Sequence, residues 1–264
     1  MDSSATDTLL QSRQGPVTVL TLNRPQAMNA INLELRGALF DVLNTLRHDP
    51  ELRAVVLTSG SDKAFCAGMD LREFAQLMAE TPLSEMRRFR WESGDGIAQF
   101  DKPIIAAVNA LAIGGGVELA LGCDICVASE AASFAFAEVT RGLIPGNGGT
   151  QRLARRIGQS RALEMILTGR KVDAAEALAM GLVDHLVPAD QLLSHAVSLA
   201  QQIAANAPVA VRLAKSAVLR GAELSLADGL QLERDLATFV YTTQDAKEGP
   251  RAFVEKRAPQ WQDR

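Results

Sequence analysis

From Ala110 to Gln151 the chain reads ALAIGGGVELALGCDICVASEAASFAFAEVTRGLIPGNGGTQ, and no other stretch restricts the fold as much. Gly114, Gly115 and Gly116 stand together just before Glu118, inside an otherwise apolar run. Backbone without a Cβ can turn sharply there and let another chain or a ligand approach closely. Twenty residues later Glu138 follows Phe134-Ala135-Phe136-Ala137, and a second glycine-rich turn, Gly146-Asn147-Gly148-Gly149, closes the segment. Carboxylates in such surroundings are costly to bury unless paired or partly protonated. Two of them beside exposed backbone amides make an acid/base site. A lone glutamate reads first as a helix-end or surface charge; here the apolar flanks and glycine turns favour a functional pair.

At 264 residues the chain can bury a large core, as one α/β domain or as one domain with a helical extension. Its net charge of −4 and its scattered basic residues do not suggest a nucleic-acid footprint. No apolar run reaches the ~18–20 residues that span a bilayer. The first fifteen residues carry two aspartates and no apolar stretch of the signal-peptide kind, so a cytoplasmic location is expected. Three cysteines argue against a disulfide framework. Cys123 and Cys126 form a CxxC, but GCDICVAS reads as a short buried strand. Cys66 has no histidine near it in sequence, and His48, His185 and His195 show no metal-ligand spacing.

Val17 to Leu22 alternates threonine with aliphatic residues and predicts a strand, running into the turn Asn23-Arg24-Pro25. Asn32 is a good N-cap for a helix carrying Leu35, Leu39, Val42, Leu43 and Leu46, which stops near His48 to Pro50. Ala54 to Thr58 and Ile104 to Val108 are fully apolar strands of the parallel-sheet kind, and a helix starts at about Leu71. Helical pattern is also expected from Pro82 to Phe100, with Gly94 and Gly96 weakening its end. After the glycine triplet come a helix through Leu121 and strands at Asp124 to Ala128 and Ser133 to Phe136. Helices follow at 150–157, 161–167 and 173–180, then a strand from Val183 to Val187. Beyond Pro188 only helices are expected, at 191–204, 209–219, 224–239 and 243–256, with breaks at Pro208 and Gly221. The division expected is a mixed core at 1–190 and a helical region at 191–264. Three times an apolar strand leads through small residues toward a turn or helix, which suggests a spiral of β-containing units.

At AFCAGMDL, AIGGGVELALGCDI and GLIPGNGGTQRL the chain resembles the crotonase (enoyl-CoA hydratase/isomerase) superfamily, a likeness that runs from LNRPQAMNAI to KEGPRAFVEKR. It implies an α/β fold, a crotonase-like spiral of ββα units with a C-terminal helical trimerisation region, assembled as a trimer or a dimer of trimers. It implies an oxyanion hole from the backbone amides of Met69 and Gly115, whose N–H groups would stabilise charge on a thioester oxygen. Glu118 and Glu138 match the two hydratase glutamates: the first holds and activates water, the second gives a proton to the α-carbon. Coenzyme A and substrate contacts are implied for Arg24, Ala27, Ala67, Asp70, Leu71, Arg72, Phe136 and Lys256, the last toward a neighbouring subunit. Where mitochondrial-type hydratases carry Gly-Gln-Pro, this chain has Ala135-Phe136-Ala137, so Phe136 is expected to reshape the acyl pocket.

The leading expectation is therefore a 2-enoyl-CoA hydratase acting on an acyl-CoA thioester, with no cofactor beyond the coenzyme A of its substrate, no metal, no nucleic acid and no membrane. The alternatives are a Δ3,Δ2-enoyl-CoA isomerase or another acyl-CoA enzyme of the superfamily, and, more weakly, an RNA-binding relative. For RNA the one dense basic patch is Arg152, Arg155, Arg156 and Arg161. Its plainer reading is a helix face at a subunit contact or near the coenzyme.

Overall fold

Strands that are apolar on both faces need cover on both sides, and that requirement shapes the core. The computed structural model describes residues 7–82 and 93–264. Its larger sheet has the order β1-β2-β3-β5-β7-β10, comprising β1 (Leu9–Gln14), β2 (Val17–Leu22), β3 (Ala54–Ser59), β5 (Ile104–Val108), β7 (Ile125–Ser129) and β10 (His185–Val187). All neighbours are parallel except the β1–β2 hairpin. The smaller sheet orders β4 (Ala64–Cys66), β6 (Leu111–Ile113), β8 (Ser133–Ala135) and β9 (Lys171–Asp173), with only β8–β9 antiparallel. Successive strands step from the large sheet to the small one at β3–β4, β5–β6 and β7–β8, so each step leaves a loop or helix at the small sheet's end.

Alternation within each strand explains the layering. Val17, Val19, Ala54, Val56, Ile105, Ala107 and Val127 face one cluster, where Leu192, Ala196, Val197 and Ala200 of the helix Leu192–Ala204 cover them. Leu20, Leu22, Val55, Leu57, Ala106 and Val108 face the main core, shared with α1 (Leu33–Arg47). The Asn32 side chain caps α1 by accepting from the Leu35 N–H at 3.0 Å. At its other end the buried Lys102 ammonium donates to the Leu46 and Asp49 carbonyls at 3.1 and 2.6 Å, a cation placed at the negative helix end.

The sequence did not foresee β1, β4, β6 or β9. β1 is an edge strand that buries Leu9 at its start and is otherwise exposed or half-exposed, so alternation is invisible. β6 and β9 have three residues each and exist only through their neighbours in the small sheet. The strands expected at 133–136 and 183–187 shorten to β8 and β10. Of the helix expected at 82–100, residues 83–92 lie outside the described residues, and Ser93–Ala98 is helical through Gly94 and Gly96. Pro208 opens the helix Pro208–Gly221, because a missing N–H is harmless in the first turn.

Past that helix come Leu226–Val240 and Gln244–Val254. The chain end returns to the core. Asp245 accepts from the Gln262 and Asp263 amides at 2.7 and 3.0 Å, and Asp263 pairs with Arg53 and Arg212, both at 2.8 Å.

Between β2 and α1 the loop is pinned by Asn29, fully buried at a left-handed φ of 54°. Its amide donates to Ser59 Oγ at 2.7 Å and to the Ala64 and Phe65 carbonyls at 3.1 Å, while its oxygen accepts from the Arg24 N–H at 2.7 Å. Replacing Asn29 by Ala removes the side-chain partners of the Phe65 carbonyl and the Arg24 N–H, while Ser59 Oγ still donates to the Ala64 carbonyl at 2.8 Å, at about 1–3 kcal/mol for each group stranded. We expect Asn29→Ala to lower the urea midpoint markedly without changing the slope of the transition.

Candidate active site

One pocket of about 270 Å³ collects most of the residues singled out in the sequence: Ala67, Met69, Asp70, Leu71, Gly115, Glu118 and Glu138 all line it. Four chain segments meet there: the loop running into α1, the loop after β4, the glycine triplet after β6, and the turn after β8. They meet because side chains are missing at the contacts. A Cβ on Gly116 would overlap the Cys66 carbonyl, and one on Gly68 would sit 2.7 Å from the Ile113 oxygen and 3.3 Å from the Gly115 nitrogen. Gly68 adopts φ +87°, which a side chain would strain.

Two backbone amides flank this contact. Gly115 is the first residue of the helix Gly115–Gly122, so its N–H has no acceptor within the helix. Ile31 donates to the Gly68 carbonyl at 2.7 Å and accepts from the Asp70 N–H at 2.9 Å, forming a parallel bridge with Met69. In such a bridge Met69's own N–H points away from Ile31.

The two glutamates are held differently. Glu118 is 4% exposed, one turn into its helix, and its Oε1 accepts from the Asn147 and Gly149 amides at 2.7 and 2.8 Å. The second glycine turn thus orients the first glutamate. Glu138 begins a 3-10 turn, Glu138–Arg141, and among the described residues its buried Oε2 has no hydrogen-bond partner. Burial pushes its carboxyl above the ordinary range; the nearby Glu118 carboxylate adds to this, while its own backbone N–H and Arg141 oppose it. Gly114 makes room for it: a Cβ there would lie 2.6 Å from Glu138 Oε1.

Five expected contacts lie elsewhere. Phe136 is fully buried and lines no part of the pocket, which corrects the expectation that it reshapes the acyl wall. It packs beneath Gly149, where a Cβ would come within 2.6 Å of its ring, and so backs the turn that holds Glu118. Arg24 turns inward, bonding the Ala30 carbonyl and pairing with Asp70 at 3.2 Å, and so ties together the two loops that carry the site. Ala27 sits in the short 3-10 turn Pro25–Ala27 behind the lining residues. Arg72 is exposed on α2 (Leu71–Glu80), its N–H donating to the capping Asp70 carboxylate at 3.2 Å. Lys256 is exposed at φ 54° and is not among the lining residues of the single chain.

Gly114 and Arg141 were missed. Only the fold shows Gly114 touching a residue twenty-four positions away, while Arg141 could have been found as the i+3 partner of Glu138. Burial pushes the thiols of Cys66 and Cys126 up to about 12 and that of Cys123 well up, a packing environment with no thiolate at neutral pH. His185 and His195 stack with ring centroids 5.2 Å apart. In the basic patch, Arg156 pairs with Asp184 at 2.5 Å, Arg155 with Glu223 at 3.4 Å, and Arg152 donates to the Asn147 carbonyl at 2.8 Å.

The profile of the enoyl-CoA hydratase/isomerase family matches residues 12–264. The chain is 42% identical to the mitochondrial enoyl-CoA hydratase of Pongo abelii over 96% of its own length and 86% of that protein's. It is likewise 42% identical to the 2,3-dehydroadipyl-CoA hydratase of Escherichia coli K12, covering 97% of this chain and 99% of that one. Among solved structures, the enoyl-CoA hydratase of Bacillus anthracis superposes with a TM-score of 0.92 at 39% identity, covering 97% of this chain and 100% of that one.

The raised Glu138 carboxyl has a stability consequence with a definite sign. A folded pKa above the unfolded one gives stability that is full below the unfolded value and is lost as pH rises through the folded value. Glu138→Gln removes that loss. The variant should melt at a higher temperature than the parent at pH 8, with the difference closing near pH 4 in a series of thermal melts.

Proposed function

Because the chain belongs to the enoyl-CoA hydratase/isomerase family, we propose that its pocket hydrates a 2-enoyl-CoA thioester to the 3-hydroxyacyl-CoA, reversibly. The observation that carries this reading is that two glutamates with different environments line one pocket together with Met69 and Gly115. The thioester oxygen would accept from the Met69 and Gly115 N–H groups, and the enolate-like charge that builds there is stabilised by donors already in place. Glu118, its Oε1 fixed by two amides, accepts a proton from water as the hydroxyl adds to C3. Glu138, raised by burial, is the better proton donor and protonates C2. Proton exchange with solvent then restores both groups.

Ala67, Asp70 and Leu71 border the same pocket and are the natural contacts for the pantetheine arm. Arg24 and Ala27 would act by shaping the loop that holds them. In our reading Lys256 contributes only from a neighbouring subunit. Residues 1–190 hold the site and 191–264 the assembling surface of a trimer or dimer of trimers. In support, Val218, Leu226, Phe239, Tyr241, Phe253 and Val254 are between 57% and 85% exposed on consecutive C-terminal elements. No helix among the described residues is long and apolar enough to cross a membrane. We place the enzyme in the cytoplasm, working without a cofactor beyond the coenzyme A of its substrate.

The test is loss of the conjugated enoyl-thioester absorbance on mixing with crotonyl-CoA. Glu138→Gln and Glu118→Gln should each lower kcat by ~10²–10⁴ while acyl-CoA binding persists. Double-bond migration can run on one acid/base group, so a Glu118→Gln variant that still shifts a 3-enoyl-CoA at full rate would replace hydration with isomerisation. Gly115→Pro deletes an N–H at a helix position that tolerates proline, and should lower kcat by ~10²–10³ in a protein that melts normally.

A further inference from the structure

Beyond the glutamates the pocket wall is formed by residues 137–147, with Leu143 and Ile144 supplying apolar surface and Arg141 a cation. Arg141 is fixed relative to the reacting groups by the local helix. In a 3-10 turn residues i and i+3 eclipse, with about 2 Å rise per residue, so Arg141 stands over Glu138 at ~6 Å along the axis. Its guanidinium donates to the Ala137 carbonyl at 2.9 Å and to Thr140 Oγ1 at 3.4 Å, both within its own turn. Among the described residues no carboxylate forms an ion pair with it, its charge acts on Glu138 across the turn, and the other N–H groups of its five-donor fork bond to no described residue. The other arginine lining the pocket, Arg36, belongs to α1 with Asn32 and Leu33, apart from this turn. Arg141 is exposed, so beside Leu143 and Ile144 it offers a plain hydrocarbon chain nothing in exchange for the water such a chain would displace from it.

We infer that Arg141 is a specificity residue that receives a carboxylate on the far end of a short acyl chain, so that the site takes a dicarboxylic 2-enoyl thioester in preference to an uncharged one. This rests on the reading that C2 and C3 lie between Glu118 and Glu138. The guanidinium folds back along its own turn to the Ala137 carbonyl, next to Glu138, so only a chain a few carbons longer than C3 brings a terminal carboxylate to it. Guanidinium and carboxylate then meet in the planar, bidentate arrangement that arginine alone among the basic side chains offers. The elevated Glu138 carboxyl favours this too, since a neutral acid does not repel the incoming charge.

The test compares kcat/KM for 5-carboxy-2-pentenoyl-CoA with that for 2-hexenoyl-CoA, two substrates of equal chain length, in the parent, Arg141→Leu and Arg141→Lys. The parent should prefer the carboxylated substrate. The ratio should fall at least ~10-fold in Arg141→Leu, with partial recovery in Arg141→Lys, and the parent's preference should shrink as salt is raised. An unchanged ratio in Arg141→Leu overturns the inference, as does an equal loss on both substrates, which would mean that Arg141 serves the coenzyme or Glu138. Hydration of crotonyl-CoA by the parent reports separately on the reaction. If no enoyl thioester is turned over, the relative Kd of adipyl-CoA and hexanoyl-CoA for the parent and Arg141→Leu still decides whether Arg141 selects the carboxylate.

Discussion

The site depends on a contact between two backbones. The glycine triplet lies against the strand end at Cys66 and the loop at Gly68 so closely that a methyl group on Gly116 would overlap a carbonyl oxygen. Through that contact the first residue of a buried helix, Gly115, and a loop residue, Met69, come to line one pocket. Helix starts leave N–H groups without intrahelical acceptors, and Gly115 holds such a position at this wall. Asn29, Arg24 and Asp70 then lock the loop from the outside, with the arginine tying one site-forming segment to the other. Charge in this region thus serves architecture as much as recognition.

Around that frame the two glutamates diverge. One is held by two backbone amides contributed by a turn some thirty residues further along; the other is half-buried, with an oxygen that no described group satisfies. Environment therefore separates two chemically identical side chains, one held by amides and one raised by burial. The separation has a thermodynamic cost, since a carboxylate raised by burial opposes folding at neutral pH, and such costs gather where chemistry is done. Gly114 shows how tightly the arrangement is made: no residue with a Cβ fits beside the Glu138 carboxylate without moving it.

The C-terminal third follows a different logic. Its first helix closes the second face of the large sheet, whereas the later helices leave large apolar side chains in solvent. The tail folds back to the core through Asp263, bound by Arg53 and Arg212, so the exposed helices are held at a defined position.

Much of this was legible in the residues alone. Periodicity and capping placed β2, α1, β3, β5 and the C-terminal helices to within a residue or two, because each has its own hydrophobic pattern and its own start and stop signals. The glycine triplet, the two glutamates and the second glycine turn stand out in the sequence as one stretch, and residues from each line the same pocket. Local pattern could not supply β6 and β9, three-residue strands whose pairing comes wholly from neighbours, or the β1 edge, most of whose residues lie at the surface. Nor could it tell that Phe136 points into the core, since a strand end has two faces and only packing selects one. The sequence by itself determined which chemical groups are present, which backbone positions can do without a Cβ, and which elements form. Only the tertiary structure decided that the Asn147 and Gly149 amides orient Glu118, that Gly114 clears space for Glu138, and that Arg24 turns inward, because these contacts join residues far apart in the chain and distance along a sequence carries no information about direction in space.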